Sequence, residues 1–178
     1  MSDFRKYKSG SIRIKDFDYG SVGDYFITIC SHNREYLFGE IRDGEMVLNE
    51  MGKIVEEEII NTPKIRKNIG IDIFCVMPNH IHLVITVFCR DTLQRVSTIE
   101  RFGQPTSNTI PTIIRLIKSA TTKRINILRN TPSQPVFQRG FYEHIIRNEK
   151  SYDEIYSYIE SNPSTWYRDR NNPENSGK

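Results

Sequence analysis

Two runs of strand-forming residues, separated by only two turn residues, constrain this chain more than any other feature. Residues 71–77 are almost wholly apolar, residues 80–87 alternate, and Pro78 and Asn79 lie between them. That pattern predicts an antiparallel hairpin. Residues two apart in a strand point to the same face, so Ile81, Leu83, Ile85 and Val87 share one side and His80, His82, Val84 and Thr86 the other. The first set is a core face. The second places two imidazoles side by side, and two neutral imidazoles at that separation can grip one metal ion if a third ligand joins them.

The remaining elements follow from spacing. Residues 25–30 are β-branched and aromatic and read as a strand; residues 37–41 and 45–48 follow as a second hairpin, with Asp43 and Gly44 as its turn. Asn49 is placed to cap a helix carrying Met51, Ile54, Val55 and Ile59 at helical spacing, with Pro63 expected just past its end. Residues 90–108 show no period and are assigned no structure. Pro111 suits the first turn of a second helix, in which Ile113, Ile114, Ile117, Ala120, Ile125 and Leu128 face the core while Arg115, Lys118, Lys123, Arg124 and Arg129 stay wet. Residues 136–146 read as a strand, and Ser151 with Glu154 as a capping box opening a third helix that ends near Asn162 and Pro163. The sum is an α+β protein, an antiparallel sheet with helices packed on one side of it.

A length of 178 residues fits one domain without disulfide or metal staples. Its expected margins are a basic N-terminal arm over about residues 1–16 and a polar C-terminal tail, frayed from about residue 167 to 178. The formal charge is only +3, so charge placement rather than net charge must reveal any nucleic-acid partner. Cys30, Cys75 and Cys89 form no paired motif and read as buried thiols. With no run long enough to span a bilayer, a cytoplasmic protein with no membrane partner is expected.

The third helix supplies a context for the histidines. At 100° per residue Tyr152, Ile155, Tyr156 and Ile159 cluster on one arc, whereas Tyr158 falls roughly 100° from its centre. Tyr158 is therefore not a core tyrosine by periodicity. Asn162 lies one turn further on the same face, and its amide oxygen suits a hard divalent ion as a third ligand.

The run Val76, Met77, Pro78, Asn79, His80, Ile81, His82, Leu83, Val84 resembles the HUH motif of single-tyrosine transposases of the IS200-like family, and in particular the REP-associated tyrosine transposases. The resemblance extends to residues 25–30, 137–144 and 158–163, in the family's order, and so covers most of the chain. It implies a ferredoxin-like HUH endonuclease core, His80 and His82 as metal ligands, Tyr158 as nucleophile and Asn162 in the third ligand position. Asn rather than Gln at that position points toward the REP-associated branch, while two residues before the Asn162–Pro163 pair this chain has Glu160 where many members of that branch carry His. The implied cofactor is Mg²⁺ or Mn²⁺. The implied substrate is single-stranded DNA with hairpin-forming repeats, cut through a 5′-phosphotyrosine link by a monomer or homodimer.

His144 is a candidate auxiliary group, and Arg13, Lys15, Lys118, Lys123, Arg124 and Arg139 are candidate phosphate contacts, with Phe141 or Tyr142 available for base stacking. Two competing readings lack catalysis: a transposase-derived protein that binds hairpin DNA without cutting it, and a ferredoxin-like RNA-binding module.

Overall fold

A computed structural model describes residues 22–88 and 109–175. Their chain order is β1 (Gly23–Cys30), β2 (Gly39–Arg42), β3 (Glu45–Leu48), α1 (Glu50–Ile65), β4 (Ile69–Val76), β5 (His80–Val87), α2 (Ile110–Arg129), β6 (Tyr142–Ile146) and α3 (Glu149–Ser161). β4, β5, β1 and β6 form an antiparallel sheet in that spatial order, and β2 with β3 forms a separate hairpin. Without that hairpin and α3, the order β-α-β-β-α-β is the ferredoxin-like arrangement.

Alternation along the strands decides how the helices are distributed. Tyr25, Ile27 and Ile29 of β1 and Ile81, Leu83 and Ile85 of β5 share a core with Val55 and Ile59 of α1 and with Ile113, Ile114 and Ile117 of α2. Phe26 and Val84, on the opposite side, pack with Ile159 of α3. Helices thus cover both faces rather than one, because Val84, Phe26 and Ile146 give the histidine-bearing face an apolar patch of its own that a third amphipathic helix can cover. β5 is buried almost throughout in consequence.

Local chemistry explains the boundaries. Asn49 accepts from the backbone N–H groups of Met51 and Gly52 at 2.9 and 3.0 Å and caps α1 as expected. A Cβ on Gly52 would lie 2.1 Å from the Phe38 carbonyl, so glycine is what lets the start of the helix rest against the hairpin base. Pro63 lies inside α1 and not beyond it: in the last turn its missing N–H removes a single bond, and the helix runs two residues further. Asp43 and Gly44 both take positive φ, as the β2–β3 turn requires. Thr109 caps α2, and Pro111 stands in its first turn. Leu128, expected in the core, is 51% exposed near the helix end.

Three other expectations change. The strand foreseen over residues 136–146 is interrupted: Phe137 makes one isolated bridge to Ser31, Gly140 turns the chain at φ 74°, and regular pairing starts at Tyr142. α3 is capped by Asn148, whose side chain accepts from the Ser151 N–H at 2.9 Å; Ser151 lies inside the helix and receives the cap rather than making it. Tyr156 is exposed, while Tyr152 and Ile155 pack beside Ile159.

The tail does not fray over its described part. Turns at Trp166–Arg168 and Pro173–Asn175 fold it back, and Asp169, Asn171 and Asn172 are buried. Two of its asparagines tie it down with internal bonds: Asn172 accepts from the Tyr36 hydroxyl at 3.1 Å, and Asn175 donates to the carbonyls of Tyr167 and Asp169 at 2.9 Å each.

Candidate metal and tyrosine site

His80 and His82 open β5 on the face covered by α3, and both are fully buried. Their orientation is fixed from behind. Asn79 donates through Nδ2 to the carbonyls of Arg34 and Asn171 at 3.2 and 2.8 Å, which leaves its Oδ1 to accept from His80 Nδ1 at 2.8 Å. The His80 proton therefore sits on Nδ1, and Nε2 carries a lone pair. Thr28, opposite His82 in the β1–β5 register, meets His82 Nδ1 at 2.9 Å. The two Nε2 atoms consequently face each other at 2.9 Å. Burial lowers the His80 pKa to about 4, although the nearby Asp169 carboxylate acts in the opposite direction. Burial, with the neighbouring His80, holds His82 well below its ordinary value as well. Both rings are neutral at pH 7, the form that binds metals.

α3 delivers Tyr158 to the same point. Its hydroxyl lies 3.2 Å from His82 Nε2 and 3.4 Å from Asp169 Oδ2, and its ring meets His82 and Phe26 edge to face. Burial, followed by the Asp169 charge, pushes the phenol pKa up to about 12. Asn162, at the end of α3, is buried and donates to Asp169 Oδ2 at 2.9 Å, leaving its own Oδ1 buried without a hydrogen-bond partner among the described residues. Asp169 comes from the folded-back tail, and Trp166 in the same segment stacks on His80 at 5.9 Å.

His80, His82 and Asp169 each offer one ligand atom, all within 4.8 Å of one another, and all three residues are buried. Two imidazole nitrogens and a carboxylate, preset by Asn79, Thr28 and Asn162 behind them, can hold a divalent ion. The unpaired Asn162 Oδ1 is a further hard donor in the same cluster. The residues therefore fit the metal that the resemblance implies.

Comparison with known proteins agrees with this architecture. No family model matches the chain. An uncharacterized protein of Haemophilus influenzae is 41% identical over 177 residues, covering 93% of this chain and 96% of that protein. The chain belongs to that protein's family. Among solved structures, a REP-associated tyrosine transposase bound to a REP hairpin superposes with a TM-score of 0.56 at 23% identity, covering 93% of this chain and 74% of the other. The fold resemblance expected from the HUH-like run is thereby found in three dimensions. A candidate transposase of Deinococcus radiodurans matches more loosely, with a TM-score of 0.47 at 15% identity, over 86% of this chain and 95% of that one.

For this member of the family, the structure gathers His80, His82, Tyr158 and Asn162 and adds Asp169. His144 stands apart, exposed on the edge strand β6, with no hydrogen bond to the cluster among the described residues. The expected phosphate contacts divide. Arg13 and Lys15 lie outside the described residues. Arg124 is paired with Glu57 and Glu58, and Lys118 is half-buried and donates to the carbonyls of Gln138 and Gly140. Lys123 and Arg139 are exposed. Sequence reasoning missed Asp169, Asn79 and Thr28. Asp169 stands between two arginines in a polar stretch, which carries no periodic signal; Thr28 could have been found by laying the residue 25–30 strand antiparallel to residues 80–87.

Among the described residues no helix is long and apolar enough to cross a membrane.

Proposed function

We propose that this protein is a metal-dependent single-stranded DNA endonuclease and strand transferase, a transposase that cuts hairpin-associated DNA with Tyr158 as its nucleophile. The observation that carries the proposal is the approach of the Tyr158 hydroxyl to within 3.2 Å of His82 Nε2, beside a buried histidine, carboxylate and amide. A core tyrosine has no need of two neutral imidazoles and a buried carboxylate. The hairpin substrate is suggested by the fold neighbour, which is bound to a REP hairpin.

His80, His82 and Asp169, with Asn162, would hold Mg²⁺ or Mn²⁺, which when bound supplies positive charge to the phosphate oxygens as they gain negative charge. The protein's own part is positioning. α3 holds the phenol on the sheet face through Ile159, and Phe26 fixes its ring from below. Tyr158 Oη attacks phosphorus, the bond from phosphorus to the 3′ oxygen breaks, and a free 3′-hydroxyl leaves with a 5′-phosphotyrosine remaining on the protein. A phenol held near pKa 12 must lose its proton as it attacks, and Asp169 Oδ2, 3.4 Å away, lies within reach of it. Attack by another 3′-hydroxyl reverses the step and rejoins the strand.

The test is product analysis with a 5′-labelled hairpin oligonucleotide and Mn²⁺. The expected product is a shortened labelled strand that a polymerase extends from its 3′-hydroxyl, and EDTA abolishes it. Intact DNA in the presence of undiminished binding contradicts cleavage and favours the non-cutting hairpin binder.

A further inference from the structure

Asp169 and Arg170 follow one another in the folded-back tail, and Asp169 has extended backbone angles, φ −65° and ψ 133°. Side chains of adjacent residues in extended backbone point opposite ways. Asp169 enters the histidine cluster, whereas Arg170 is exposed, its guanidinium 5.4 Å from the centre of the Tyr142 ring on the edge strand β6. We infer that Arg170 is a catalytic residue that holds a non-bridging oxygen of the scissile phosphate while Tyr158 attacks it. The inference rests on the role proposed above for Tyr158, and it names the group that meets the phosphate's negative charge on the side away from His80, His82 and Asp169.

Position is the first support. Thr28 of β1 pairs with His82 of β5 on one side and with Tyr142 of β6 on the other, and all three side chains lie on the face that α3 covers. Two strand spacings, about 10 Å, therefore separate the backbones of His82 and Tyr142. Phe26 bridges that interval, meeting Tyr158 edge to face at 6.2 Å and Tyr142 at 6.3 Å. The nucleophile and the guanidinium thus flank one aromatic ring. Tyr158 keeps 38% of its surface exposed, so a phosphodiester can reach it. The Arg170 charge acts on His80, His82 and Tyr158 alike, which places it beside the whole cluster.

The second support is that the guanidinium is fixed in place yet carries an unanswered charge. No carboxylate pairs with it among the described residues. Its neighbour Asp169 has both oxygens engaged, Oδ2 by Asn162 and Tyr158 and Oδ1 by the Asn171 N–H. The backbone that carries Arg170 is pinned twice: Asn79 donates to the Asn171 carbonyl at 2.8 Å, and the Arg34 guanidinium donates to the Arg170 carbonyl at 3.4 Å. Arg34 makes that contact from a pair of consecutive left-handed residues, Asn33 and Arg34 at φ 52° and 57°, a conformation that residues other than glycine seldom adopt. The Tyr142 ring supports the planar cation from the side. A planar fork of donors without a protein counter-charge matches the oxygens of a phosphoryl group, which carry the negative charge of the transition state. Because the donors are already in place, they need no rearrangement as that charge develops.

The experiment uses full-length protein, Mn²⁺ and a 3′-labelled hairpin oligonucleotide, and reads the single-turnover rate of covalent adduct formation. Hairpin binding is measured in the Tyr158→Phe background with and without Arg170→Gln, and Mn²⁺ affinity by titration calorimetry. Arg170→Gln is expected to slow adduct formation roughly 100-fold with hairpin binding little changed. A guanidinium that only tied the tail to Tyr142 would act through Asp169, because a loosened tail misplaces that carboxylate and weakens Mn²⁺ binding. A phosphate contact predicts the opposite: Mn²⁺ affinity holds or rises, since the substitution removes a positive charge beside the site. Guanidinium ion, added to Arg170→Ala far below denaturing concentrations, is expected to restore part of the rate, and ammonium ion is not. A rate unchanged in Arg170→Gln, a loss of Mn²⁺ affinity in step with the lost rate, or an equal loss of hairpin binding each overturns the inference, while adduct formation by the wild type still keeps Tyr158 as nucleophile. A wild-type protein that binds the hairpin and forms no adduct overturns both.

Discussion

Asn79 does more for the site than its place in a turn suggests. One side chain joins the β1–β2 connection, the folded-back tail and the His80 ring through three hydrogen bonds. Asn79→Ala removes the partner of the buried Asn171 carbonyl, of the Arg34 carbonyl and of the His80 imidazole N–H; the expected cost is about 2 kcal/mol of stability in urea unfolding and a roughly 10- to 100-fold loss of Mn²⁺ affinity by titration calorimetry. Asp169→Asn keeps the shape of the side chain and removes its charge. It should weaken Mn²⁺ binding markedly and lower the pH at which Tyr158 ionises in an ultraviolet titration, because the Asp169 charge helps hold that phenol up. The metal-free protein should also lose stability in mild acid. The folded pKa of His80 is about 4 against 6.5 for the free side chain, and His82 is shifted the same way, so the unfolded chain takes up protons below pH 6.5 that the folded chain refuses. Stability is then complete above pH 6.5 and falls as the pH drops toward 4; an EDTA-treated sample with equal urea midpoints at pH 7 and pH 5 would contradict it. The histidine pair and Tyr158 were legible in the sequence because strand alternation and helical phase place them without knowledge of the fold. Asp169 was not, since only the return of the tail brings it to His80.

Elements were legible where their own periodicity decides them and less so where a single polar group does. Both hairpins and the two long helices follow from alternation, turn residues and 3.6-residue spacing. The start of α3 did not, because Asn148 and Ser151 are both competent caps and tertiary context selects the first. Asn148→Ala should therefore destabilise the protein by about 1 kcal/mol, whereas Ser151→Ala, inside the helix, should change it by a few tenths at most; thermal melts of the two variants separate the alternatives. Residues 136–141 read as strand from composition, yet Gly140 turns the backbone and the Lys118 ammonium takes up the carbonyls of Gln138 and Gly140. The result is a turn in place of a longer edge strand.

At the scale of the molecule, a ferredoxin-like sheet carries two helices on one face and a third, with the tail, on the other. The sequence shows three amphipathic helices but does not say which face each covers, since an apolar stripe fits either apolar side of a sheet. Placing α3 on the histidine face makes the site, because it converts a tyrosine outside the helix's apolar arc into a neighbour of His82. What Tyr158 does there decides between a nuclease and a protein that only binds DNA. The most direct test is a denaturing gel of the protein incubated with labelled hairpin single-stranded DNA and Mn²⁺, wild type beside Tyr158→Phe. A covalent protein–DNA band in the wild type that is absent from the mutant is predicted; a band that persists in Tyr158→Phe, or none in the wild type while both proteins bind the DNA, would contradict it.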